Sequence, residues 1–344
     1  MTFRVGTIYP KPPVIKMTAV TLKVGSKTKV IQYPSNSYSA LPRCPAGMLD
    51  ESVQIFYAWK VSTTPTIQMY PGDAFFVGLD AMTLTALYTD LKSKDCDLYT
   101  SESAMTYTVD AKSGKTHVTI CAVGGGGAGA VGTILKTISV HVHGAYINPL
   151  NAGGGGGGSG YLSSRKIPIS EGDKLYIELG KGGQTKSASG GKTSVYLGET
   201  NGKLIVYADG GAGGKSGKTG GSGGAGFKSG GAGGYPFVSK ESDYPDKVKI
   251  IASMDGDGAP EAYGLGGVSS TYDAASVHYI RGGAGGGGAP PRVGTAEGMG
   301  GSGLELKDSS RSVDGTLGGG GGGTWGTGDG FGKGGDGYVC LFWE

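Results

Sequence analysis

From Gly124 onward the chain returns repeatedly to glycine-rich runs, at 124–127, 153–158, 210–214, 230–234, 282–288 and 318–323. Only six of the 72 glycines precede residue 115, which leaves 66 for the remainder. Such runs cannot build a core from side chains. Ordering each backbone unit costs about 1–2 kcal/mol, and glycine loses the most freedom of any residue. What a buried run does have is its peptide groups, every one of which must find a partner. A left-handed extended helix with three residues per turn, rising about 3.1 Å per residue, aims those groups outwards. Without side chains, several such helices can approach closely enough to exchange N–H···O=C bonds, supplemented by Cα–H···O contacts. The expectation is that the glycine runs are the core, and that the excursions between them collect at two ends as variable surface.

Two simpler readings fail. Collagen requires a strict every-third-residue glycine, which is absent here. Glycine plus proline amounts to about a quarter of the chain, a disorder-like composition. Yet the intervening segments are rich in Val, Ile, Leu, Tyr and Trp, which disordered linkers avoid, and Glu344 is preceded by the apolar run Tyr338-Val339-Cys340-Leu341-Phe342-Trp343. The composition shift near residue 115 predicts two domains, 1–112 and 113–344.

Residues 1–112 read as a compact, mostly β domain. Thr18–Val24 and Thr28–Tyr33 flank Gly25-Ser26-Lys27, a hairpin pattern. Ser52–Val61 reads as a strand, and Ile67–Tyr70 with Ala74–Leu79 as a turn-bounded pair around Pro71-Gly72-Asp73. Periodicity leaves Met82–Leu91 open between helix and strand. In the second domain, strands are expected at His117–Val123, Tyr161–Ile169, Leu175–Leu179, Thr193–Leu197 and Leu204–Ala208, with a long excursion over Val131–Ala152.

Several function classes are disfavoured. A net charge of +3 falls far short of a nucleic-acid-binding stripe. No stretch has the apolar length of a membrane helix. Met1–Lys16, with prolines at 10, 12 and 13, lacks the apolar centre of a signal peptide, so synthesis in the cytoplasm is expected. The four cysteines form no Cys-x-x-Cys pair and read as buried free thiols. A Walker loop would need glycine at 186, 209 or 212, where Lys186, Asp209 and Ala212 stand. His141 and His143 lack further ligands nearby, and Asp255, Asp257 and Glu261 lack a complete calcium-loop pattern. No catalytic constellation is visible, so neither enzyme activity, metal nor cofactor is expected.

The aromatics of the excursions are the better guide, because Tyr and Trp make rigid, amphipathic contact surfaces at low entropic cost. The candidates are Tyr146 in the first excursion, Tyr235, Phe237, Tyr244 and Tyr263 in the longest, Tyr272 and Tyr279 in the next, and Trp325 and Phe331 between the final glycines. The alternative for each is a lid packed on the glycine layer. Simple up-and-down alternation of the runs would gather 131–152, 235–263, 289–297 and 324–331 at one end, and 268–281 and 304–317 at the other.

Val118–Gly127, the glycine-rich return at 153–160, Ile167-Pro168-Ile169-Ser170-Glu171-Gly172-Asp173, Leu179–Gly183 and Gly190–Ser194 together resemble the glycine-rich domain of bacteriophage tail-fibre proteins, in particular the distal long-tail-fibre adhesins of T-even-type phages. The resemblance covers 113–344. It implies a mainly β fold with a sandwich of packed polyglycine-II helices, whose structural glycines would include Gly124, Gly125, Gly126, Gly154, Gly155, Gly156, Gly285, Gly286, Gly319 and Gly320. It further implies a receptor-binding protein at the virion's tail-fibre tip, a monomer seated on a trimeric fibre protein, whose loops contact a bacterial outer-membrane protein or surface glycan. Residues 1–112 do not match the attachment domain of those adhesins, so their attachment role rests on position alone. The alternatives are a virion-associated polysaccharide depolymerase and a purely structural glycine-rich virion protein.

Overall fold

The computed structural model describes residues 15–42, 44–45, 47–49, 54–61, 68–71, 73–90, 96–136, 140–142, 145–147, 150–200, 202–219, 221–227, 229–233, 235–241, 244–254, 313–324 and 330–344. Among these no helix occurs; the chain is mainly β, as expected. It divides into two units, 1–50 with 56–89, and 51–55 with 90–344.

The first unit holds β1 (Met17–Val24), β2 (Lys27–Pro34), β3 (Ser37–Ala40), β4 (Gln54–Val61), β5 (Gln68–Met69), β6 (Ala74–Val77) and β7 (Met82–Asp90). The β1–β2 hairpin forms as expected, with Val24 opposite Lys27, and Gly25 supplies the positive φ of its turn. The alternation of β1 sends Val20, Leu22 and Val24 into a core shared with Trp59, Val77 and Leu84. The Trp59 indole donates to the Pro42 carbonyl at 2.7 Å. Met82–Leu91 resolves as a strand, since β7 pairs in parallel with β1, Leu22 opposite Leu84. The expected pair around Asp73 does not form. β5 pairs with β4 and β6 with β3; in these pairings Phe75 and Val77 join the core and Met69 packs against it.

The second unit begins some twenty residues before the expected boundary at 112. β8 (Cys96–Tyr99) and β9 (Thr106–Asp110) hydrogen-bond to strands far down the chain, so they belong to this unit despite lacking its glycines. There follow β10 (His117–Val123), β11 (Thr133–Lys136), β12 (Val140–Val142), β13 (Ala145–Ile147), β14 (Leu150–Ala152), β15 (Leu162–Pro168), β16 (Lys174–Glu178), β17 (Thr193–Leu197), β18 (Lys203–Ala208), β19 (Tyr235–Glu241), β20 (Tyr244–Met254) and β21 (Tyr338–Trp343).

Two four-stranded sheets, β15-β10-β21-β8 and β18-β17-β16-β9, enclose a core of Val118, Ile120, Ile177, Val195, Leu341 and Trp343 with their neighbours. That is a β-sandwich. β10 and β21 read as unbroken apolar runs because the first sheet is covered on its other face too. There Cys121, Val123, Tyr338, Cys340 and Phe342 meet Phe227 and Leu317, two side chains from the glycine-rich segments. Asp97 ties the edge, accepting from the Trp343 indole and from Lys112, both at 2.8 Å.

Strands of the sandwich run directly into the glycine layer, and its bonding repeats every third residue. Amides of residues 124, 127 and 130 donate to the carbonyls of 161, 158 and 155; those of 125 and 128 to 191 and 188; those of 126 and 129 to 335 and 332. One segment thus addresses three antiparallel neighbours in rotation. The segment 154–160 does likewise, with 154, 157 and 160 donating to 324, 321 and 318, and 155 and 158 to 215 and 212. Glycine is required here for closeness: a Cβ on Gly124, Gly126, Gly155 or Gly320 would lie within 3.0 Å of a neighbouring carbonyl oxygen. Gly125 and Gly154 are equally confined by backbone, and Gly156 and Gly319 are buried and paired within the same network. Gly285 and Gly286 lie outside the described residues.

Candidate functional site

The pairings define two ends of the glycine layer. At the near end, residues 124, 161, 191, 209 and 337 lead into or out of the sandwich strands, and Gly318 lies beside them, paired with Gly160 and Asp336. At the far end, Ala130 receives the amide of Thr324, Gly154 donates to Thr324, Gly155 to Lys215, Gly221 to Gly153 and Gly233 to Gly221. The excursions that begin at 131 and at 234 both leave from this far end. Ser216 lies there also, its hydroxyl donating to the Val131 carbonyl at 2.7 Å.

The first excursion folds as two antiparallel pairs. β11 pairs with β14, Thr133 opposite Ala152, with an irregularity between Ile134 and Lys136; β12 pairs with β13, Val140 opposite Ile147. The later excursion forms the long hairpin β19–β20, from Tyr235 opposite Met254 to Glu241 opposite Tyr244, with irregularities at Phe237/Val238 and Lys240/Glu241. β12 then pairs in parallel with β20, His141 opposite Lys249. The result is one four-stranded sheet in the order β13-β12-β20-β19. Two excursions about a hundred residues apart in sequence make a single surface element.

The sheet carries four of the sequence-predicted residues, Tyr146, Tyr235, Phe237 and Tyr244, in different rows. Tyr146, His141, Lys249 and Ser239 form one cross-strand row. Phe237 and Tyr235 stand two and four positions before Ser239 on β19, and Tyr244 opens β20. β13 and β19 are the sheet's outer strands, whose main-chain groups on one side have no partner within the sheet; such an edge accepts an added strand or loop.

The remaining candidates part company with this group. Phe331 is buried at 7% exposure, which leaves little of it for a ligand to touch. Tyr263, Tyr272, Tyr279 and Trp325 lie outside the described residues, as do His143, the carboxylates at 255, 257 and 261, and the loop 289–297. Among the described residues, no three His, Cys, Asp or Glu groups converge to hold a metal. Sequence reasoning named the aromatic positions but missed His141 and Lys249 as the row partners of Tyr146, since parallel pairing between distant excursions leaves no local signal.

Compared with curated proteins, the chain matches none. The model of the glycine-rich domain family matches residues 100–344, a span that begins between β8 and β9 and takes in the sandwich and the glycine layer together, and by that match the chain belongs to the glycine-rich domain family.

Proposed function

We propose that this protein is a receptor-binding adhesin of a bacteriophage tail fibre, acting by binding and not by catalysis. In this reading the glycine layer is a bundle of polyglycine-II helices, which the three-residue rotation of its hydrogen bonds supports. The first unit is the mounting piece on a trimeric fibre protein. The protein is assembled in the host cytoplasm and carried at the tip of the virion's fibre.

One observation carries the reading: the two long aromatic-bearing excursions converge into one sheet at the end of the glycine layer remote from the sandwich. A layer whose backbone is paired in three directions is a stiff spacer. Six residue steps at about 3.1 Å each hold the sheet roughly 19 Å beyond the strands that support it. A host outer-membrane protein or surface glycan would meet the sheet and its outer strands first, with Tyr146, Tyr235, Phe237 and Tyr244 as the aromatic anchors.

Adsorption tests it. Fluorescently labelled protein is incubated with a panel of bacterial strains, beside a variant in which 235–254 is replaced by a short Gly-Ser loop. Strain-specific binding that disappears in the folded variant supports the adhesin. Binding that survives the replacement moves recognition off this sheet, and binding to no strain favours a purely structural role.

A further inference from the structure

The second unit holds a cleft on the flank of the glycine layer, away from the far-end sheet. It has a volume of about 400 Å³ and lies between the turn after β8, the segment 314–317 and the segment 333–336. That volume falls within the range of small-molecule sites, roughly 300–1,000 Å³. Its lining is polar: the carboxylates of Glu102, Asp314 and Asp336, the ammonium of Lys333 and the amide of Gln184, with Leu317 as the one large apolar side chain.

Three of these groups are fixed before any ligand arrives. Asp336 Oδ1 accepts the Gly182 amide at 2.7 Å, Asp314 Oδ1 accepts the Lys333 amide at 2.6 Å, and Gln184 Nε2 donates to the Gly182 carbonyl at 3.0 Å. Groups held by backbone lose little freedom on binding. The wall also stores strain, for Leu317 sits at φ 40°, a conformation that bulky residues avoid and that tends to mark functional loops.

The chemistry of the lining selects its occupant. Leu317 is the lining's one large apolar side chain, and an apolar ligand would leave the polar groups of the wall without partners. Three carboxylates against one ammonium leave a negative excess, which repels phosphate and acidic sugars. Among the described residues no metal cage forms. Carboxylates accept hydrogen bonds from O–H and N–H groups, while the amide and ammonium donate to ring and hydroxyl oxygens. We infer that this cleft is a saccharide subsite for a hydroxyl-rich ligand that carries an amine, of the amino-sugar class. It is independent of the far-end sheet, so its failure would leave the adsorption result standing.

The test is saturation-transfer NMR on the full chain at neutral pH with three probes: glucosamine, glucose and glucuronate. The expected order is glucosamine, then glucose, with glucuronate weakest. Glu102→Gln, at an exposed position, removes one attracting charge and should weaken glucosamine binding about threefold. Ser101→Trp should fill the mouth and abolish it, with thermal unfolding confirming the fold. Glucuronate binding as well as glucosamine, silence from all three sugars, or an unchanged signal in Glu102→Gln overturns the subsite; so does a signal that persists in folded Ser101→Trp.

Discussion

Thr193 Oγ1 donates to the Val123 carbonyl at 2.7 Å and accepts the Gly180 amide at 2.9 Å, at the point where β10 becomes glycine layer. One hydroxyl, fully buried, satisfies the last carbonyl of a strand and the first amide of a glycine segment. Val123 is the last residue of β10's ladder and Gly180 the first of its glycine segment, so the side chain joins two different bonding patterns.

Thr193→Val keeps the shape and deletes both bonds. Leaving a buried donor and a buried acceptor unsatisfied costs about 1–3 kcal/mol each, so the expected loss is about 2–6 kcal/mol. Thr193→Ser keeps the hydroxyl and gives up only a methyl, about 1 kcal/mol. Urea unfolding of the three proteins measures this. Equal midpoints for the Val and Ser variants would remove the hydroxyl from the account.

The glycine layer makes a sharper prediction by contrast. Gly126→Ala would press a methyl into the Gly319 peptide, where the obstructing atoms are backbone and cannot swing aside. Gly114 sits in an open turn at φ 73°, with nothing near a Cβ. Gly114→Ala should therefore cost only the left-handed strain, about 1 kcal/mol, while Gly126→Ala should exceed about 3 kcal/mol. Ala128, fully buried two residues on, shows that the layer accepts methyls only where its rotation leaves room. Soluble yield and urea midpoints test the pair, and a Gly114 variant as damaged as the Gly126 variant would contradict close packing as the reason for glycine.

What was legible in the sequence followed from local chemistry. β10 and β21 announce themselves because residues apolar on both faces belong at the centre of a doubly covered sheet, and the β1–β2 hairpin because Gly25 supplies the turn. The boundary at 90 was not legible: nothing in Cys96–Tyr99 or Thr106–Asp110 says that their partners are Tyr338–Trp343 and Lys174–Glu178. For the same reason the turn residues between β5 and β6 suggest a pairing that the fold does not use. The candidate site was half legible. Tyr146 and Phe237 are visible as aromatics in excursions, but the His141–Lys249 pairing that puts them on one sheet depends on where the glycine layer delivers its ends. The flank cleft, drawn from four separate stretches of chain, had no sequence signal.

The last prediction concerns alkali. Burial pushes the thiols of Cys121 and Cys340 well above the usual range, reinforced for Cys121 by Cys96 and for Cys340 by Cys121 and Cys96. The Tyr338 phenol is likewise raised, first by burial and then by the neighbouring thiols, and Tyr99 is pushed up to about 12 by burial and by Asp97. In the unfolded chain a thiol titrates near pH 8.5 and a phenol near 10. Above those values the unfolded state releases protons that the folded state retains, so folding stability is complete below about pH 8.5 and falls as pH rises. Each fully titrated group contributes about 1.4 kcal/mol per pH unit to the decline. Cys340→Ala lowers stability at neutral pH through the lost sulfur, but it also removes one proton from the slope. Urea midpoints of both proteins between pH 7.5 and 10.5 should therefore converge as pH rises. Parallel curves would show that the Cys340 thiol ionises as readily folded as unfolded, and would place it against water instead of beside Cys121 in the centre of the sheet.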